Sequence, residues 1–101
     1  MEYIEELKDV IRRVHDLDAE HVETVPVKET FRGATVWEGE VEVFDVRGHP
    51  KARRCFAWSY QTDEGGKRSF AVLDLPPVDS PVTAVRAAIV SDAKQKSKQG
   101  R

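Results

Sequence analysis

Three histidines, one cysteine and a short run of alternating glutamates are the side chains of this 101-residue sequence with catalytic or metal-binding potential. His15, His21 and His49 are scattered and no Cys-x-x-Cys accompanies them, so no metal-ligand spacing is present and no metal or other cofactor is expected. Cys55 and His49 lie six residues apart on one predicted hairpin. A strand rising about 3.3 Å per residue holds them beyond hydrogen-bond reach, so they do not form a nucleophile and base. Cys55 reads instead as a small half-buried thiol, and His49 as a turn residue before Pro50. Glu38, Glu40 and Glu42 share one face of a predicted strand. Paired carboxylates do acid–base work when burial splits their pKa values. These three are expected to be solvated, or to form an acidic docking face, because no charge stands directly opposite and Arg53 is only diagonal to Glu42. No catalytic constellation emerges, and the chain does not read as an enzyme.

Two binding surfaces are candidates. Arg47, His49, Lys51, Arg53 and Arg54 make a basic hairpin where a phosphate or an acidic partner could dock. The plain alternative is surface charge that discourages edge pairing. Phe44, Cys55, Ala57, Phe70 and Val72 fall together on the predicted sheet face that no helix covers, an apolar patch suited to a homodimer. Alternatively, the segment from 17 to 36 folds across it. Phe56, Trp58 and Tyr60 could form a base-stacking platform, but the helices need that face as their core.

The charge is unevenly placed. The formal net charge is −2, yet all 18 acidic residues precede position 94. Lys94, Lys96, Lys98 and Arg101 give the end of the chain +4, and the body carries −6. A nucleic-acid module usually shows a basic folded face, so nucleic acid is disfavoured. One cysteine excludes an internal disulfide. An acidic start and the absence of a long apolar run predict a cytoplasmic protein with no membrane partner.

These residues need elements to position them. Tyr3, Ile4, Leu7, Val10, Ile11 and Val14 recur at helical spacing over residues 3 to 16, with Asp16-Leu17-Asp18 ending the helix. Residues 22 to 31 contain Pro26 and predict an edge strand or an extended connection. Arg32-Gly33-Ala34-Thr35 reads as a turn. Strands are predicted over 37–46, 51–61 and 68–75, with turns at 47–50 and 63–67. Ser80 and Pro81 suit the N-cap and first position of a last helix, which runs to about Lys96.

Closing the two turns tightly pairs Val41 with Phe56, Gly39 with Trp58, and Trp58 with Leu73. One face then collects Trp37, Val41, Val43, Phe56, Trp58, Tyr60, Ala71, Leu73 and Leu75. The predicted fold is a two-layer α+β domain over residues 1–93, in the order helix, three or four antiparallel strands, helix. Both helices pack on that aromatic face, and a basic, disordered tail covers 94–101.

Several runs carry a resemblance. They are Glu29-Thr30-Phe31-Arg32-Gly33 with Val36-Trp37-Glu38-Gly39, Gly48-His49-Pro50-Lys51-Ala52 with Ala57-Trp58-Ser59, and Ser80-Pro81 before Ala84-Val85-Arg86-Ala87-Ala88-Ile89-Val90. Together they resemble a family of small uncharacterised bacterial proteins, mostly proteobacterial, over about residues 22 to 92. The resemblance implies a shared fold and a bacterial source, and carries no activity or cofactor. In outline the topology is also similar to the double-stranded RNA-binding domain, which grips phosphates with lysines at the start of its second helix. Here that position, Pro81-Val82-Thr83-Ala84-Val85, has no basic residue before Arg86. The expected function is a small protein-interaction module that self-associates. Its alternative is a nucleic-acid-binding accessory protein using the basic hairpin and tail.

Overall fold

The computed structural model describes residues 2–61 and 64–99, with side chains described over 3–60 and 64–90. Helix α1 (Glu2–His15) leads into strands β1 (Asp18–Phe31), β2 (Ala34–Arg47), β3 (Arg54–Gln61) and β4 (Lys67–Leu73), then helix α2 (Pro81–Gln99). The strands form one antiparallel sheet in the order β1-β2-β3-β4. The α+β class is as expected, with four strands. Residues 22–31 belong to β1, and Pro26 sits on the sheet's outer edge, where its missing N–H breaks no ladder.

Local signals in the sequence set the element ends. Asp16 adopts φ 57 and its N–H bonds Arg12 O at 2.8 Å, closing α1 in the left-handed conformation. Arg32 and Gly33 have φ of 53 and 82 and join Phe31 to Ala34 by a two-residue turn of the type I′ kind. Ser80 Oγ accepts the Thr83 N–H at 3.2 Å, and Thr83 Oγ1 accepts the Ser80 N–H at 3.0 Å. This reciprocal cap starts α2 where Ser80-Pro81 predicts it. The helix continues through Gln99, beyond the expected end near Lys96. Residues 100 and 101 of the expected tail, and the side chains of the rest of it, lie outside the described residues.

The placement of the helices differs from expectation. Leu7 and Ile11 of α1 pack with Phe44, Val46, Cys55 and Ala57. Ala84, Val85 and Ala88 of α2 pack with Val27, Val41, Val43, Phe56 and Trp58. Side chains alternate along a strand, so 44 and 46 face away from 41 and 43. The helices therefore lie on opposite sides of the sheet, in three layers rather than two.

Register differs from expectation as well. Val43, not Val41, pairs with Phe56, a slip of two residues that keeps every side chain on its expected face. Trp58 pairs with Phe70 rather than Leu73, a slip of three that turns β4 over. Ala71 and Leu73 thus pack on the α1 side, and Phe70 and Val72 on the α2 side. Gly39 pairs with Val27 rather than Trp58, and the ring lying against it is that of Trp37.

The sheet forks. β2 meets β3 only where Glu42–Asp45 pair with Arg54–Ala57. Beyond that point β1 and β2 continue as a ribbon to the Arg32-Gly33 turn, and β3 continues with β4 alone. Val25, Val27 and Trp37 hold the ribbon against the α2 core, helped by an ion pair of 2.9 Å between Arg86 Nε and Glu29 Oε1.

Candidate functional site

The connection between β2 and β3 is longer than the predicted turn, and it is tied at each step. Val46 N–H bonds Arg53 O at 2.9 Å. His49 Nδ1 accepts the N–H groups of Lys51 at 3.0 Å and Ala52 at 2.8 Å. Asp74 Oδ1 accepts those of Arg53 at 3.1 Å and Arg54 at 3.2 Å. Ala52 is buried beneath the loop. An Nδ1 that accepts two N–H groups is unprotonated, so neutral His49 carries its proton on Nε2. His49 therefore organises the loop from within.

The cations of this connection point outward. Arg47, Lys51, Arg53 and Arg54 are exposed. Arg54 Nε pairs with Asp45 Oδ1 at 3.4 Å. Among the described residues, Arg47, Lys51 and Arg53 have no ion-pair partner. Asp18, Glu20 and Asp45 line a shallow concavity with Arg47, so the surface is of mixed sign.

The apolar candidate set does not form one surface. Phe44, Cys55 and Ala57 are each 0% exposed beneath α1. Phe70 and Val72 are half-buried on the opposite side, with Phe70 against Trp58 and Tyr60. The expected open apolar sheet face is thus occupied by α1. Burial also pushes the Cys55 thiol up to about 12, with a smaller contribution from the Asp74 carboxylate. A thiol held neutral and covered is not a nucleophile. Phe56 and Trp58 are buried as core, as expected of them.

One of the three alternating glutamates behaves differently from expectation. Glu38 and Glu40 are exposed, but Glu42 is 4% exposed. Its Oε1 lies 2.8 Å from His21 Nε2 and accepts the Thr24 hydroxyl at 2.5 Å. The His21 ring stands edge-on to Phe44 at 5.4 Å. In a regular strand residues 21 and 24 face opposite ways. The register shift between His21 and Glu23, which leaves Val22 as the extra residue, brings both onto the α1 side. Strand alternation alone gives no sign of such a bulge, so the cluster was hidden in the sequence.

Two side chains of α1 cap backbone groups of the sheet. Tyr3 Oη accepts the Ser59 N–H at 3.1 Å, and His15 Nε2 donates to Ala71 O at 2.7 Å. Both are structural uses of residues that could have done chemistry. Among the described residues, no group of three or more His, Cys, Asp or Glu is placed to hold a metal ion, and no helix is long and apolar enough to cross a membrane.

The chain matches no family model, no curated protein and no solved structure. A fourth strand and a helix on each face also depart from the helix, three strands, helix outline of the double-stranded RNA-binding domain. Arg86, the first basic residue of α2, is committed to Glu29.

Proposed function

We propose that this chain is a non-enzymatic protein-binding module that meets an acidic segment of its partner through the basic connection between β2 and β3. The observation that supports this is a fixed display of unpaired cations. Arg47, Lys51 and Arg53 are exposed without ion-pair partners among the described residues, on backbone that His49 and Asp74 hold in place. Loop order established before binding lowers the entropy lost on association. Asp18, Glu20 and Asp45 interrupt the positive field, which suits a protein surface better than a continuous phosphate backbone. One free, buried cysteine suits a reducing cytoplasmic compartment. Self-association through Phe44, Cys55 and Ala57 has no place in this reading, because α1 covers them.

The test is a titration of the full chain at low salt with a labelled oligoglutamate peptide and, separately, a single-stranded oligonucleotide. The expected result is saturable peptide binding that falls about tenfold or more in the R47E/K51E/R53E variant. His49→Asn, whose side-chain oxygen can replace Nδ1 as acceptor, keeps the affinity, and His49→Ala loses part of it. No peptide binding at low salt overturns the proposal. Tighter binding of the oligonucleotide, with a steep salt dependence, replaces it with the nucleic-acid reading.

A further inference from the structure

The fork exposes one side of β2. Val46 N–H bonds Arg53 O, so the antiparallel ladder aims the N–H and C=O of Phe44 and Glu42 at β3 as well. Continued along the strand, the same alternation aims those of Glu40 and Glu38 to that side, where β3 has left with β4. Among the described residues no strand pairs there. The β3 side of the fork differs, since Tyr3 Oη occupies the Ser59 N–H.

The other edges are guarded in familiar ways. β1 presents Pro26 and the Val22 bulge on its outer edge, and the Ala71 carbonyl of β4 is taken by His15. Between Trp37 and Val41 the open side of β2 has no proline, lysine or bulge. It has Glu38 and Glu40, both exposed, on the same strand face and without ion-pair partners among the described residues. A shallow concavity lined by Pro26, Lys28, Glu38, Gly39 and Glu40 lies along the ribbon at this level.

We propose that residues 37–41 of β2, beyond the Val36 bulge, accept an extended segment of a partner protein as an added strand, one carrying Lys or Arg at alternate positions. Main-chain bonds to Glu38 and Glu40 supply the pairing. Carboxylates two residues apart match basic side chains at the strand period of two, and opposite charges across a ladder stabilise it. A second copy of this chain is a poor occupant, because antiparallel pairing of two such edges sets glutamate against glutamate. This surface is separate from the basic connection and selects the opposite charge.

The experiment uses the isotope-labelled full chain and three synthetic peptides: alternating Val and Lys, alternating Val and Glu, and the lysine peptide N-methylated along one edge. The lysine peptide is expected to bind and slow amide exchange at Glu38 and Glu40 by about tenfold or more. The glutamate peptide leaves those amides unprotected, whether or not it occupies the basic connection. The N-methylated peptide has the same charge but cannot complete the ladder, and it binds about tenfold more weakly. An E38K/E40K variant, altered only at exposed side chains, keeps its unfolding midpoint and exchanges the two preferences. No binding of the lysine peptide overturns the proposal. So does binding without protection of those amides, or equal binding of the N-methylated peptide.

Discussion

His21 Nε2 and Glu42 Oε1 lie 2.8 Å apart on neighbouring strands, and they meet only because β1 carries one residue more than β2 at Val22. The same oxygen takes the Thr24 hydroxyl, so a single buried carboxylate ties together the strand before the bulge and the strand after it. Burying a carboxylate is costly unless its hydrogen bonds are made. Here the partners are made by the bulge itself, and the bulge is in turn held by the carboxylate.

Replacing Glu42 tests this relationship. Glu42→Ala leaves the half-buried His21 without its acceptor, while the exposed Thr24 hydroxyl can turn to water, and is expected to cost about 1–3 kcal/mol. Glu42→Gln keeps an oxygen acceptor and should cost about half as much or less. Urea unfolding of the two variants gives the comparison. Equal losses would mean that the carboxylate fills space and the two hydrogen bonds add little.

Cys55 gives a pH-dependent prediction. Its thiol moves from 9.0 to about 12 on folding, chiefly through burial and then through the Asp74 carboxylate. The folded state therefore holds this proton more tightly than the unfolded state does. The contribution to stability is complete below about pH 9 and is lost as pH rises from there toward 12. Across that window wild type should lose up to about 1.4 kcal/mol per pH unit more than Cys55→Ala, which has no proton to lose. Unfolding midpoints of both proteins at pH 8, 9.5 and 10.5 (chosen to bracket the start of the window) decide the matter. Parallel profiles would show that the thiol contributes nothing. At neutral pH, a disulfide reagent should label Cys55 only after unfolding.

The two sheet faces differ in what covers them, and mutation can report it. Phe44 is wholly buried under α1, so Phe44→Ala should cost about 3–5 kcal/mol. Phe70 is half-buried on the α2 side, and Phe70→Ala should cost distinctly less, about 1–2 kcal/mol. A sheet with both helices on its aromatic face would leave Phe44 exposed and make its loss mild. Denaturant unfolding of the pair therefore separates the two architectures.

The end of α1, the start of α2 and the first turn were legible in this chain, because each depends on one or two residues. Asp16 ends α1, Ser80-Pro81 opens α2, and Arg32-Gly33 turns the ribbon, all from local chemistry. Register was not legible, because it depends on how long each connection is. A tight turn at 47–50 would pair Val46 with Lys51. Instead His49 and Asp74 bind four N–H groups of residues 51–54, and pairing between β2 and β3 begins at Asp45 and Arg54. The β3–β4 connection likewise closes at Gln61 and Lys67 rather than at Glu64 and Lys67. An even slip is harmless to a face assignment and an odd one reverses it, so the longer β3–β4 connection puts Ala71 and Leu73 on the α1 side and Phe70 and Val72 on the other. The cations of the loop are exposed, which does not depend on register, whereas His49 of the same set turns inward. The apolar set does depend on register, and the turn-over of β4 splits it between two faces.

The ribbon turn supplies the last prediction. Arg32 is held at φ 53, a left-handed conformation that costs an ordinary L-residue roughly 1 kcal/mol and that asparagine tolerates better. Arg32→Asn creates the Asn-Gly pair most favoured in such turns, and should stabilise the chain by about 0.5–1 kcal/mol. The Arg32 guanidinium also lies over the Phe31 ring at 5.2 Å, and losing that contact at an exposed site takes back part of the gain. Gly33→Ala runs the other way. A Cβ at Gly33 meets nothing within 4 Å, so its cost comes from φ +82 alone, about 1–2 kcal/mol. Thermal unfolding of both variants checks the signs. If Gly33→Ala were neutral, the left-handed backbone at this turn would not set the cost of a side chain there.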